Sequence, residues 1–259
     1  MTPSLTLRLW GVRGSIPSPG PATARYGGNT PCVSVEMGDK ILVLDAGTGI
    51  RILGKELLGG THQIFVLLTH EHWDHIQGFP FFAPIYEPER RMVTFPIERG
   101  MDLLCSLIEQ MDGAHFPVTR EQLPSLQECC QSDPMEYLNR EGFHISRRRT
   151  NHPGKCYGYR IDHAGKSLVF MPDNELHPPV KQWATLQEMA DFCHGADVLM
   201  HDAQFVAADM PKKRGWGHSM VSETCELAAL AQVKQLVLFH HDPERTDDEL
   251  DEIQRECRA

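Results

Sequence analysis

The chain reads as a layered α/β protein built from two strand-rich halves, each with its own helices. Three observations carry that reading. Apolar runs of strand length recur between turn residues. Segments of helical periodicity alternate with those runs. Several runs give way directly to loops bearing histidine and aspartate, the usual place for site residues in such proteins.

In the first half, residues 5–10, 32–37, 40–45 and 64–69 read as strands. Asp45-Ala46-Gly47-Thr48-Gly49 is a tight strand-to-helix turn, and Ile50 to Leu58 is the helix that follows. Its glycines lack the spacing of a dinucleotide loop or a P-loop, so they read as a supporting turn. Residues 83–142 form a long connection. Within it Leu103, Leu104, Leu107, Ile108 and Met111 recur at helical spacing between Gly100 and Gly113, the face of a core helix or lid anchor. Phe79, Phe81, Phe82 and Phe116 read as core packing before they read as a pocket mouth. In the second half, residues 157–161, 167–171, 196–200 and 235–239 read as strands, and 181–194, 219–232 and 246–257 as helices. Ser219 and Thr246 are the N-cap candidates for the last two helices.

The 259 residues are 41% hydrophobic and 8% aromatic, enough for a sizeable core. They fit a single domain, 1–259, with a lid or specificity insertion at about 83–142. No apolar stretch reaches membrane-span length, and the first residues lack a secretory-signal pattern, so the expectation is a cytoplasmic protein. Eight cysteines (Cys32, Cys105, Cys129, Cys130, Cys156, Cys193, Cys225 and Cys257) are scattered without a Cys-x-x-Cys pair. That is the pattern of reduced, packing cysteines. The net charge of −10 disfavours an extended polyanion as partner. Oligomeric state is open, a homodimer included.

The densest chemistry is His70-Glu71-His72-Trp73-Asp74-His75, directly after the apolar run Ile64-Phe65-Val66-Leu67-Leu68-Thr69. Imidazole and carboxylate together suit zinc or a similar divalent ion. His70 and His72, two residues apart in an extended loop, can grip one ion; Asp74 and His75 lie further round and can grip a second. Packing gives no reason to place four such side chains so close together.

This His-x-His-x-Asp-His pattern resembles the metallo-β-lactamase-fold hydrolase superfamily. The resemblance implies an αββα sandwich, with two mixed sheets flanked by helices and two metal ions. It also requires three later ligands on later strand ends, and candidates stand in order: His152 in Thr150-Asn151-His152-Pro153, Asp173 in Met171-Pro172-Asp173-Asn174, and His240 in Phe239-His240-His241-Asp242. By that carry-over His70, His72 and His152 hold one ion, Asp74, His75 and His240 the other, and Asp173 bridges them. His241 is the alternative to His240. The implied ions are zinc, with manganese or iron as alternatives. Two divalent ions against two aspartates leave a charge of about +2, suited to a small anionic substrate. The family's Asp-x-Gly turn also makes Asp45 a partner for a ligand histidine.

Two further motifs bear on the branch. His201-Asp202-Ala203 and Gly217-His218-Ser219 resemble the His-Glu-Ala-Thr and Gly-His-Ser-Thr signatures of the phosphodiesterase branch, which holds transfer-RNA 3′-processing endonucleases and class II cyclic-nucleotide phosphodiesterases. There the second histidine protonates the leaving oxygen and the acid orients it. Those roles fall on His218 and Asp202, with Asp in place of Glu. Asp74 is implied as the residue that accepts the proton of the attacking water. The segments around Trp10-Gly11-Val12-Arg13-Gly14 and Tyr26-Gly27-Gly28-Asn29 also resemble this branch, making Arg13 and Asn29, with His241, substrate-binding candidates. The glycine-rich basic arm of the RNA-processing enzymes has no counterpart here, and Lys212-Lys213-Arg214 reads as a solvated loop.

The reading is a dimetal hydrolase of a small phosphodiester such as a cyclic nucleotide. Its rivals are an ester, thioester or lactone hydrolase of the same fold and a metal-binding sensor without turnover. A diiron redox protein is disfavoured, because that subgroup carries Glu where His72 stands.

Overall fold

Each strand-rich half closes a mixed sheet of its own. The structure is a computed structural model describing residues 5–97, 106–129, 132–180 and 182–258. The chain divides into two compact units: Met1–Gly11 with Asn29–Glu141, and Val12–Gly28 with Gly142–Ala259.

The first unit holds a six-stranded sheet in chain order, β1 (Leu5–Gly11), β2 (Cys32–Met37), β3 (Lys40–Leu44), β4 (Gln63–Leu67), β5 (Arg91–Thr94) and β6 (Leu126–Cys129). The first three pair antiparallel, and β3 to β6 run parallel. Ile41 to Leu44 and Ile64 to Leu67 are buried on both faces, as continuous apolar runs in central parallel strands must be. Helix α1 (Ile50–Leu57) buries Ile50, Leu53, Gly54 and Leu57, one stripe at helical spacing. A one-turn α2 (Trp73–Ile76) follows β4. The segment 83–142 is more than a connection, since it supplies β5, β6 and α4 (Pro134–Arg140), whose N-cap Asp133 accepts from Met135 N and Glu136 N. The expected helix 100–113 is described only as α3 (Ser106–Glu109). Leu103 and Leu104 lie outside the described residues, while Leu107, Ile108 and Met111 are buried. Of the four phenylalanines, Phe79 and Phe82 are fully buried; Phe81 is 57% exposed and meets Phe116 edge to face at 5.4 Å.

The second unit mirrors this plan with the order β11-β10-β9-β8-β7: β7 (Ile145–Arg149), β8 (Tyr157–His163), β9 (Lys166–Met171), β10 (Val198–Asp202) and β11 (Leu236–Phe239). Strands β7, β8 and β9 pair antiparallel, and β9, β10 and β11 run parallel. Strand β10 runs two residues further than the expected 196–200, so His201 and Asp202 end the strand rather than follow it. Helices α5 (Leu186–Cys193) and α6 (Val221–Leu230) cover Val169, Met171 and Leu199 through Met189, Cys193 and Leu227. The third helix is α7 (Asp247–Arg258).

Two capping expectations part company. Thr246 caps α7, its hydroxyl accepting from Glu249 N at 3.3 Å while Glu249 accepts from Thr246 N at 2.7 Å. Ser219 does not cap α6: its hydroxyl donates to Asn174 O at 2.5 Å and accepts from Leu176 N, so it binds two loops together instead. Helix α5 begins at Thr185, later than expected, through a capping box with Glu188. Lys212-Lys213-Arg214 is not simply solvated either, because Lys213 pairs with Asp242 at 2.7 Å and Arg214 with Glu223 at 2.9 Å. A second basic run, Arg147-Arg148-Arg149, lies on edge strand β7, with Arg149 over the Trp183 ring and Arg148 paired to Glu188. Among the described residues no helix is long and apolar enough to cross a membrane.

Leu199, fully buried on β10, tests the second unit's core. Leu199→Ala should lower unfolding free energy by about 2–5 kcal/mol, read as a lower urea midpoint at unchanged slope.

Candidate metal centre

In the first unit, the motif loop hangs from the carboxyl end of β4, where a parallel sheet leaves room for chemistry. His72 is the extended N-cap of α2, and Asp74 and His75 lie within its single turn. The sharp bend brings the rings together: His70 lies 4.4 Å from His72 and 4.2 Å from His75, centroid to centroid. His75 Nε2 is 3.4 Å from Asp74 Oδ2. Glu71 and Trp73 point outward, Trp73 82% exposed.

The other ring nitrogens are tied back. His75 Nδ1 donates to Asp45 Oδ2 at 2.8 Å, and the Thr69 hydroxyl lies 3.0 Å from His70 Nδ1. Asp45 also accepts from Thr69 N at 2.7 Å. Burial raises the Asp45 carboxyl pKa, opposed by the His75 and Thr69 contacts. Asp45 thus takes the supporting place expected of it. Its own turn is fixed by backbone contact with the motif loop: Ala46 N donates to His75 O at 2.7 Å, and Gly78 N to Ala46 O at 2.9 Å. A Cβ on Gly47 would stand 2.2 Å from Asp74 O, so that glycine answers a close approach and not a phosphate.

In the second unit, three strand ends converge on Asp173. Its Oδ2 lies 3.6 Å from His152 Nε2, 3.5 Å from His240 Nε2 and 3.9 Å from His218 Nδ1. Asp173, His218 and His240 each offer a donor atom within 4.8 Å of the others. Here too the outer nitrogens are engaged, His152 Nδ1 with Gly217 O at 2.8 Å and His240 Nδ1 with Gln204 Oε1 at 3.2 Å. Each imidazole therefore presents Nε2 to the carboxylate. A carboxylate oxygen facing two such nitrogens is a donor set that fits a divalent ion.

His218 stands beside this set. Its Nδ1 is 2.7 Å from Asp202 Oδ2, so the shorter aspartate reaches where the branch pattern has glutamate. The ring stacks on His240 at 4.8 Å and meets His152 and Phe205 edge to face. Asp202 is held by Asn174 N and Gln204 N, each at 3.1 Å. His201 is fully buried and bonded to Thr224 and Asn174, and burial lowers its pKa.

The substrate-binding candidates are each held by other parts of their own unit. Arg13 is fully buried and donates to the carbonyls of Gly27, Asp242 and Arg245, with Asp247 at 3.6 Å. His241 holds the 12–14 segment through its backbone, and its ring meets Tyr26. Burial, then Arg13 and His240, push its pKa down to about 3. His240, not His241, faces Asp173. Asn29, in the first unit, accepts from the Thr48 hydroxyl at 3.2 Å.

Sequence reasoning missed Glu175. This buried carboxylate accepts from Gly215 N at 2.8 Å and Gly217 N at 2.9 Å. It shapes the loop whose Gly217 carbonyl orients His152 and whose next residue is His218. Gly217 has φ +90 and its Cβ would meet His152 and Pro153 within 2.6 Å. The glycine beside the histidine was a visible signal; a lone glutamate after Asn174 was none. Gly14 was missed as well: a Cβ there would lie 2.4 Å from the His240 ring.

Residues 41–241 match the sequence family described as the Beta-lactamase superfamily domain. A Ribonuclease Z from Agathobacter rectalis is 22% identical over a 295-residue alignment, covering 96% of this chain and 92% of that protein. Among solved structures, the metallo-beta-lactamase fold protein YhfI from Bacillus subtilis superposes with a TM-score of 0.71 at 21% identity, covering 98% and 93% of the two chains. A diphosphatase from the PhnP family gives 0.64 at 18%, covering 96% and 91%. The fold is the metallo-β-lactamase fold, as the motif order implied.

Glu175→Ala leaves two amides without their acceptor. Metal affinity should fall roughly 10–100-fold, the usual cost of losing a ligand's support, when measured by chelator competition. Wild-type affinity in that variant would show that the loop keeps its shape without Glu175.

Proposed function

The chain belongs to the Beta-lactamase superfamily, and within it we propose a metal-dependent hydrolase of a small phosphodiester such as a cyclic nucleotide. In this reading His70, His72 and His152 hold one ion, Asp74, His75 and His240 a second, and Asp173 serves both. Zinc is the first choice, with manganese and iron as alternatives. Bound divalent ions would supply an activated water at neutral pH and offset the charge on the phosphoryl oxygens.

The chain's own residues do the rest. Asp74 accepts the proton of the attacking water. His218 delivers a proton to the leaving alkoxide through Nε2, because Asp202 holds Nδ1 at 2.7 Å and so orients the ring. That contact is the observation that carries the reading: expelling an alkoxide needs a proton donor, and a histidine held by a buried carboxylate is one. Arg13 supports the loop around Gly14 and His240 through its bonds to the Asp242 and Arg245 carbonyls.

A nucleic-acid end is the second reading, because the curated relatives are named Ribonuclease Z. The net charge of −10 and the engagement of Arg148, Arg149, Lys213 and Arg214 by side chains of this chain favour the small substrate.

Metal-reconstituted protein assayed on bis-p-nitrophenyl phosphate, cyclic nucleotides, a precursor transfer RNA, thioesters and lactones separates these readings. Two ions per chain and turnover of cyclic nucleotides are expected; hydrolysis confined to thioesters or lactones would overturn the phosphodiester reading. His218→Ala should cost about 10²–10⁴-fold on a substrate with an alkoxide leaving group and far less on a p-nitrophenyl ester, at unchanged metal content. Equal losses on both would remove His218 from the proton-donor role.

A further inference from the structure

Two cysteines stand apart from the candidate site and from the core. Cys225, on α6, is half-buried, and Cys257, in the last turn of α7, is exposed. Their Sγ atoms are 3.3 Å apart although 32 positions separate them in sequence. Cys32, Cys156 and Cys193 are buried, and burial pushes the Cys32 thiol up and the Cys193 thiol to about 12, so an oxidant meets neither readily.

We propose that Cys225 and Cys257 form a reversible dithiol–disulfide site that exchanges with low-molecular-weight disulfides such as oxidised glutathione. The sulfurs already touch, with no room for an atom between them, and a bond at ~2.05 Å asks for a closing of just over an ångström. Cys257 lies in a terminal helical turn, where such an adjustment is least costly. The chemistry is two exchanges. The Cys225 thiolate attacks a glutathione disulfide, forming a mixed disulfide and releasing one glutathione thiolate. The Cys257 thiol gives up its proton and attacks the Cys225 sulfur, expelling the second glutathione. Two protein thiols are oxidised, one small disulfide is reduced to two thiols, and the two protons pass to them. The order follows from the surroundings. The Cys257 residue is exposed as a whole, yet its sulfur is turned toward Cys225, and burial with that neighbouring thiol holds it up to about 12; capping Cys225 removes the second cause.

The bond would fasten two helices with business elsewhere in the unit. Helix α6 starts three residues after His218. The first residue of α7, Asp247, accepts from Arg25 N at 2.7 Å and pairs with Arg13, and so holds the 12–28 segment that carries Gly14 against His240. Oxidation would tie down the far end of α7 while leaving every candidate ligand chemically untouched.

The test is glutathione equilibration of the folded, metal-loaded protein, followed by alkylation and non-reducing peptide mapping. The expected product is a Cys225–Cys257 cross-linked peptide pair, about two mass units lighter than the two thiol peptides together, reversed by dithiothreitol and absent in Cys225→Ser and in Cys257→Ser. Amide exchange across residues 247–258 should slow severalfold in the oxidised form. Separate glutathione adducts on the two cysteines without a cross-link, or two unmodified thiols under conditions that oxidise a small dithiol, would overturn the proposal. A cross-link with unchanged exchange in α7 would overturn the tethering.

Discussion

In each unit the candidate ligands rest on how the outward-facing nitrogens of their histidines are occupied. An imidazole that can spin or change tautomer is a poor ligand. Here His75 is held by Asp45, His70 by Thr69, His152 by the Gly217 carbonyl and His240 by Gln204. Each contact engages Nδ1 and leaves Nε2 available to a metal ion. The holders come from different loops, so much of the local architecture exists to bring a carbonyl, an amide or a carboxylate to the back of a ring. The left-handed backbone at Asp45 and His240, φ 61 and 59, fits that demand: both residues turn sharply as their strands end.

The two sheets explain why the site residues fall where they do. In each, one side is antiparallel and the other parallel, and Asp45, the motif loop, Asp173, Asp202 and His240 all lie at or just past the carboxyl ends of parallel strands. Parallel strands end with their connections on one edge, so within each unit side chains distant in sequence gather without long excursions. The glycines at 14, 47 and 217 allow the closest approaches, each at a point where even a methyl group would collide with a candidate ligand's ring or backbone.

The strands and the ligand candidates were legible because both rest on side-chain chemistry: apolar runs for the strands, and histidine and aspartate at their ends. The supports were less so. A backbone carbonyl such as that of Gly217 leaves no mark in composition, and Glu175 acts through backbone amides, so neither offered a pattern. Strands β5 and β6 escaped because they are four residues long and carry charge; β7 carries three arginines on an edge strand, where charge blunts further pairing. Ser219 looked like a cap and proved to be a loop clasp, since a hydroxyl at a helix entry bonds whichever backbone group tertiary packing brings nearest.

Trp73 stands between two candidate ligands and is 82% exposed, and Trp216, 60% exposed, is separated from His218 by a single glycine. Indole emission depends on polarity and is quenched by paramagnetic ions within contact range. The protein therefore carries one indole beside the motif loop and another beside His218. Loading with manganese or cobalt would turn those two residues into reporters of occupancy, and single-tryptophan variants would make each readable by itself.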